Sequence, residues 1–263
     1  MISNEGASNK KAMIGSFLLL LLFLAAWEWI PITFGIPAFI IPPVSQVWEE
    51  FLYMLENEAL LYHSGITAMQ VLFGFVLGAL LGVIFGFILG MSPTAEFVLS
   101  PYILALQIAP KVAFAPLFII WFGYTVYPKI LVAVLIVFFP IMINVLGAVR
   151  SVDPDIVRLA RSFTATRFQI FWKIEFPAAM PPLFAGLRIG ATLAVIGVLV
   201  GELVGGNTGL GYLLTFGEGS GNTAMVFVVI LFLTLIGIVL YGLIVLLEQR
   251  ILHYQLERKR DYS

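Results

Sequence analysis

Six long apolar runs separated by shorter polar breaks dominate the chain, at residues 13–30, 67–91, 97–122, 130–149, 182–204 and 225–247. Each is long enough to cross about 30 Å of hydrocarbon as a helix. The pattern predicts an all-α, polytopic membrane protein with six transmembrane helices. One break, residues 153–181, has a helical period of its own. Asp153 can cap a helix with Pro154 at its first position, and Ile156, Leu159, Ala160 and Phe163 follow at the i, i+3, i+4, i+7 spacing. A second short helix is expected from Thr166, where Thr166 and Gln169 have capping-box spacing and Phe168, Phe171 and Trp172 form an apolar face. Arg158, Arg161, Arg167 and Lys173 make the insert basic. Two short amphipathic helices outside the bilayer fit two roles on this local pattern: docking onto another protein, or resting on lipid headgroups.

Between the first two runs the pattern predicts a smaller amphipathic helix. Pro42 and Pro43 stop any preceding helix, Ser45 can cap the next, and Val47, Trp48, Phe51, Leu52 and Leu55 give it an apolar face for the membrane interface. Charge then orients the spans. Lys10 and Lys11 precede the first run, Glu49, Glu50, Glu56 and Glu58 follow it, and no further Lys or Arg appears before Lys111. The positive-inside rule therefore places the N-terminus in the cytoplasm. Alternation puts residues 150–173 and the tail with Arg250, Arg258, Lys259 and Arg260 on the same side, leaving Lys129 alone in an expected outer loop. The first run shares a basic lead and small residues Ala25 and Ala26 with signal peptides, but its length and the interfacial Trp27 and Trp29 read as an uncleaved anchor.

Composition narrows the function class. Hydrophobic residues make up 61% and charged ones 11%, with mean hydropathy +1.04, which excludes a soluble globular domain. The 263 residues have room for six spans, read as one transmembrane domain covering residues 1–263 with residues 153–181 as a loop within it. There is no cysteine, hence no disulfide, thiolate ligand or thiol nucleophile, and His63 and His253 are too isolated for a metal site. No Gly-x4-Gly-Lys-Ser/Thr, Gly-x-Ser-x-Gly or His-Glu-x-x-His motif occurs. The chain is thus expected to be neither an enzyme nor a holder of cofactors, and any energy for its work must come from a partner.

Three features inside the spans carry candidate chemistry. Gly74, Gly78, Gly82, Gly86 and Gly90 recur every four residues, a stripe that lets a second helix approach closely, within the subunit or across a subunit interface. Gln107, Pro110 and Lys111 interrupt the third run. An intramembrane Lys costs roughly 2.5–3.5 kcal/mol on insertion scales, so Lys111 faces protein or a watery space, either lining a solute path that favours anions or serving as an ion-pair or snorkelling group, with Glu202 a possible partner. Glu202 precedes the glycine-rich residues 205–212, which include Asn207. This stretch can dip toward the membrane and contact solute, or form an interfacial turn.

The insert resembles the cytoplasmic loop of binding-protein-dependent ABC importer permeases, whose pattern is Glu-Ala-Ala, a three-residue gap, Gly, then a distal Ile-x-Leu-Pro. The matching residues are Arg158-Leu159-Ala160, Thr164-Ala165 and Ile174-Glu175-Phe176-Pro177. Similarity runs from about Phe39 to the C-terminus, through Pro110-Lys111, Ala115-Pro116-Leu117, Trp121-Phe122-Gly123, Ser151-Val152-Asp153-Pro154, Pro177-Ala178-Ala179, Gly186-Leu187-Arg188 and Gly209-Leu210-Gly211-Tyr212. These look like the nitrate, sulfonate and taurine group, while Gln107, Pro110-Lys111 and Gly201-Glu202 also resemble permeases for pyrimidine or riboflavin-type vitamins and precursors.

The resemblance implies a type I importer permease fold in a bacterial inner membrane, assembled as a homodimer or a pair of similar permeases with two cytoplasmic ATP-binding subunits and an extracytoplasmic solute-binding protein. It implies no nucleic-acid partner. It also implies coupling to the ATPase through Arg158, Leu159, Ala160, Arg161, Thr164, Ala165, Phe171 and Pro177, while Gln107, Lys111, Glu202 and Asn207 stay the candidate path residues from the reading of the spans. Arg158 stands where the family has Glu, Phe176 where it has Leu and Thr164 where it has Gly. A Thr fits that turn without strain only if its backbone angles are ordinary. The competing class is an ATP-independent channel or ion-coupled carrier, which is expected to show several intramembrane carboxylates or inverted repeats.

Overall fold

The computed structural model describes residues 3–252, with side chains from Met13 onward. The side chains of Lys10 and Lys11, and residues His253, Arg258, Lys259 and Arg260, which contribute to the charge reading above, lie outside them. The described residues form helices and connecting turns: α1 (Ser3–Thr33), α2 (Val44–Asn57), α3 (Leu60–Met91), α4 (Pro93–Ile108), α5 (Ala115–Phe122), α6 (Tyr127–Arg150), α7 (Pro154–Ser162), α8 (Arg167–Ile170), α9 (Phe176–Gly205), α10 (Leu210–Ser220) and α11 (Thr223–Ile251). Five stretches are long and apolar enough to cross a membrane, and α4 with α5 makes a sixth if that bent pair counts as one span.

The expected third span is not a straight helix. It bends by 82° between α4 and α5, with a 3₁₀ turn, Lys111–Phe114, in between. Pro110 is the cause: its ring pushes the preceding residue out of the helical region, and Ala109 is extended at φ −52°, ψ 136°. The second short helix expected in the polar insert is also corrected. α8 runs through a π turn, Phe171–Glu175, directly into α9, so Arg167–Gly205 is one helical stretch of 39 residues. The Phe176 amide donates to the Phe171 carbonyl five residues back, which absorbs one residue ahead of Pro177.

By their contacts the residues sort into two units, Met1–Tyr62 with Leu213–Leu231, and His63–Tyr212 with Phe232–Ser263. In the first, α1 is tied to the start of α2: the Trp27 indole donates to the Pro42 carbonyl at 3.0 Å, and Glu28 accepts from the Ser45 amide and hydroxyl at 2.9 and 2.8 Å. Ser45 is therefore not the cap of α2, as its position suggested. Pro43 holds that place, and Ser45 spends its hydroxyl on Glu28.

The second unit is built around α6, wedged between α3 and α9. A Cβ added to Gly74, Gly78, Gly82, Gly86 or Gly90 of α3 would meet, in turn, Ala133, Val137, Ile141, Val145 and Val149 of α6 at 2.5–3.0 Å. Both sequences advance by four at each step, so the two helices run parallel with their ridges in register. From the other side, Gly186, Gly190, Gly197 and Gly201 of α9 approach Asn144, Ile141, Ala133 and Lys129. Ala133 is thus clamped between Gly74 and Gly197, a backbone approach that any larger residue would forbid. At the other end of α3 and α6, Glu96 at the start of α4 pairs with Arg150.

Candidate functional site

Chain direction places three candidate regions, all in the second unit. The polar insert lies at the end of the triplet where α6 finishes and α9 begins. The Asp153 carboxylate accepts from the Asp155 amide at 2.8 Å, and Thr166 and Gln169 form the reciprocal capping box expected of them. Between these caps the chain turns on Thr164, whose φ is +60°. Its amide donates to the Arg161 carbonyl at 2.9 Å and that of Ala165 to the Ala160 carbonyl at 3.1 Å, the paired bonds of a Schellman helix end. Glycine is favoured at this left-handed position, so the turn is retained here against the steric preference of a β-branched residue.

The apolar stripe of the insert faces outward. Leu159 is 60% and Phe163 77% exposed, and Ile156, Phe168 and Trp172 are exposed as well. Arg158 pairs with Asp155 at 2.9 Å on the open surface, Arg161 is exposed and Ala160 and Ala165 are half-buried. Phe171 instead turns inward, with its ring 5.2 Å from Phe87 of α3 and 5.8 Å from Phe176, and half-buried Pro177 follows the π turn. Phe171 thereby joins the exposed insert to the triplet.

The α4–α5 elbow borders a cavity of about 440 Å³, lined by Gln107, Lys111, Phe139, Pro140, Asn144 and Leu193 among others. The Lys111 ammonium donates to the Gln107 carbonyl and lies 5.1 Å from the centre of the Phe139 ring. Asn144 donates to the Pro140 carbonyl at 2.8 Å, leaving its carbonyl oxygen and second amide hydrogen for other partners. The structure thus brings Gln107 and Lys111 together and adds Asn144, an amide in the apolar stretch of α6 that spacing arguments overlooked.

Glu202 belongs to a different cluster, and its conjectured ion pair with Lys111 is not formed. It is 1% exposed near the end of α9. Its carboxylate accepts from the Thr67 hydroxyl at 2.9 and 3.1 Å and from the Gly211 amide at 2.7 Å. Thr67 in turn accepts from the Leu210 amide at 2.8 Å, and His63 Nδ1 accepts from the Gly209 amide at 3.0 Å. The segment linking α9 to α10 passes so close to Glu202 that a Cβ at Gly209 would lie 2.0 Å from its carboxylate, and one at Gly211, in the first turn of α10, 2.5 Å from its Cβ. Gly209, at φ +103°, also takes a backbone conformation closed to other residues. Asn207 remains on the exposed outside of the segment.

Lys129 is not in a loop as expected. It lies in the first turn of α6 at 3% exposure, and its ammonium donates to the Thr208 carbonyl at 3.4 Å. Among the described residues no group of acidic and histidine side chains has the arrangement of a metal site.

Residues 74–253 match the family model described as binding-protein-dependent transport system inner membrane component. The chain is 39% identical over 236 residues to the riboflavin transport system permease protein RibX of Chloroflexus aurantiacus, covering 90% of this chain and 88% of that one. It is 32% identical over 242 residues to the formylaminopyrimidine transport permease protein ThiX of Halalkalibacterium halodurans, covering 90% and 94%. It is also 31% identical over 232 residues to a putative aliphatic sulfonates transport permease protein SsuC of Bacillus subtilis, covering 88% and 84%. With a helical membrane-protein fold and a family match over most of its length, the chain belongs to the binding-protein-dependent ABC transporter permeases.

Proposed function

We propose that this chain forms the membrane path of an ATP-driven importer, with a second copy beside it, ATP-binding subunits on the insert and a solute-binding protein at the opposite face. The observation that carries the reading is the insert itself. Ile156, Leu159, Phe163, Phe168 and Trp172 expose an apolar surface framed by Arg158, Arg161, Arg167 and Lys173 on a two-helix hook with both caps made. Such a surface fits a protein groove, and Arg158, Leu159, Ala160, Arg161, Thr164 and Ala165 are its contact residues. Phe171 and Pro177 pass the movement of the hook to α9. Basic charge on this side makes it cytoplasmic, with both termini on the same side.

Solute passes the α4–α5 elbow, where the Lys111 ammonium, the Gln107 and Asn144 amides and the Phe139 ring meet in one cavity. That set suits a small solute bearing an anionic or carbonyl-rich group, the chemistry shared by sulfonates, nitrate, pyrimidine precursors and flavins. The names of the relatives reported above cover riboflavin, formylaminopyrimidine and aliphatic sulfonates. Asn207 meets the solute or its carrier at the outer mouth.

The test is purification of the tagged chain from native membranes, with mass spectrometry and an ATPase assay on what accompanies it. A stoichiometric ATPase that is lost on Arg161→Glu or Phe171→Ala is the expected result. A chain isolated alone that moves solute in liposomes without ATP refutes the proposal and establishes an ATP-independent channel or carrier.

A further inference from the structure

The glycine register locates a polar group that the hydrogen bonds alone leave unexplained. Each step of four residues along α3 matches a step of four along α6, from Gly90 with Val149 back to Gly74 with Ala133. One further step pairs Gln70 with Lys129, and Gly201 of α9 already lies against the Lys129 backbone, 2.6 Å from its Cα for an added Cβ. Gln70 is 3% exposed, and among the described residues neither its amide nitrogen nor its carbonyl oxygen has a hydrogen-bond partner. Four buried polar side chains, Thr67, Gln70, Lys129 and Glu202, therefore lie at one end of the triplet.

Their pairing is lopsided. Lys129 and Glu202 are oppositely charged and close enough to feel each other's field, yet they form no direct ion pair. Each is instead engaged with the backbone of the 206–211 segment, Lys129 with the Thr208 carbonyl and Glu202 with the Gly211 amide. If that segment leaves, both charges lose a partner at once, and the unengaged Gln70 amide, which both accepts and donates, is the group placed to join them. The chain also passes from one unit to the other just after this segment, between Tyr212 and Leu213.

We propose that Gln70, Lys129 and Glu202 form a two-position latch for the 206–211 segment. In the position seen here the two charges hold the segment. In the other the segment is released, and the charges pair with each other through the Gln70 amide. A buried amide with no partner favours leaving a state by roughly fivefold or more, so Gln70 makes the held state easier to leave. Lys129, Glu202 and Gln70 are accordingly positioning residues that set how readily the outer mouth opens and closes. The proposal rests on the importer reading.

The test uses the complete transporter complex in lipid nanodiscs. Because the chain has no cysteine, spin labels can be placed singly at Glu218→Cys on α10 and Val126→Cys before α6. Their distance is measured without nucleotide and after trapping with ATP and vanadate. The wild type is expected to show a nucleotide-driven shift. Glu202→Gln keeps atoms able to bond Thr67 and Gly211 but removes the charge, and it reduces the shifted population by roughly tenfold or more, the worth of a charge-assisted hydrogen bond.

Gln70→Leu, which removes only an unpartnered amide, keeps the test open if Glu202→Gln fails to assemble. It raises the melting temperature of the nucleotide-free complex while lowering transport. A Gln70 that is only a buried amide predicts the same rise in stability with transport unchanged, so unchanged transport in Gln70→Leu overturns the latch. A wild-type shift that persists undiminished in both variants overturns the latch alone. Absence of any nucleotide-driven shift in the wild type removes the importer reading and the latch with it.

Discussion

Gly197→Ala tests whether close backbone approach holds the helix triplet together. The added methyl would lie 2.5 Å from the Ala133 Cα and 3.1 Å from both its Cβ and its amide nitrogen. Ordinary carbon contacts are about 3.5–4.0 Å, so α9 and α6 must separate by roughly 1 Å. The obstacle is main chain rather than the end of a flexible side chain, and Ala133 is pinned from behind by Gly74. Overpacking of this kind costs about 1–3 kcal/mol, against a gain of about 0.5–1 kcal/mol from replacing Gly by Ala in a helix. Gly147, on the exposed face of the same α6, is the internal control: nothing among the described residues lies within 4 Å of its added Cβ, so only the gain remains. Thermal unfolding of the purified variants in detergent, followed by tryptophan fluorescence, should show Gly197→Ala less stable and Gly147→Ala as stable as wild type or more so. Equal shifts in the two variants would refute the role assigned to the glycine notches.

Other perturbations reach the remaining regions. Thr164→Gly relieves a left-handed threonine worth about 1–2 kcal/mol and gives back about 0.5–1 kcal/mol in chain freedom, so the melting temperature should hold or rise slightly with ATPase binding retained; a clear drop contradicts the Schellman geometry. Phe171→Ala removes the ring that joins the insert to Phe87 and Phe176, and should lower ATP-dependent uptake at least tenfold while the chain still reaches the membrane; wild-type uptake by proteoliposomes excludes it from coupling. Lys111→Met should weaken transport of an anionic solute several-fold, and unchanged uptake of every candidate anion removes Lys111 from the path.

What the sequence made legible depended on periodicity. The insert was readable because its caps, Asp153-Pro154 and Thr166 with Gln169, are local devices whose partners lie within three residues. The glycines of α3 stand out because they repeat every four residues, whereas those of α9 fall at Gly186, Gly190, Gly197 and Gly201, with Ala194 completing the series only approximately. The elbow at Pro110 was visible as a lost hydrogen bond, but not as an 82° bend, because the angle depends on what the freed backbone packs against. Lys129 was misplaced for a related reason. Hydropathy moves a lysine to the edge of a span, but burial against Gly201 and the Thr208 carbonyl is a property of three distant segments. Thr67 and Gln70 left no signal beyond being polar near the start of an apolar run.

The notched packing also limits which movements the triplet permits. Sliding α9 along α6 by one residue's rise, about 1.5 Å, takes every side chain out of its notch together, because the next residue along points about 100° away. The next matching register is four residues, about 6 Å, away, with collisions at every glycine in between. Force applied at the Phe171 end of α9 is therefore not absorbed by sliding within the triplet. It turns the triplet as a body or moves the segments that flank it. Those flanks are the α4–α5 elbow carrying Lys111, where the helix is already broken, and the 206–211 segment, which hydrogen bonds tie to Glu202, Thr67, Lys129 and His63. The polar groups suited to handling a solute lie at these two places, and the notched glycines of α3 and α9 lie where the structure must not give.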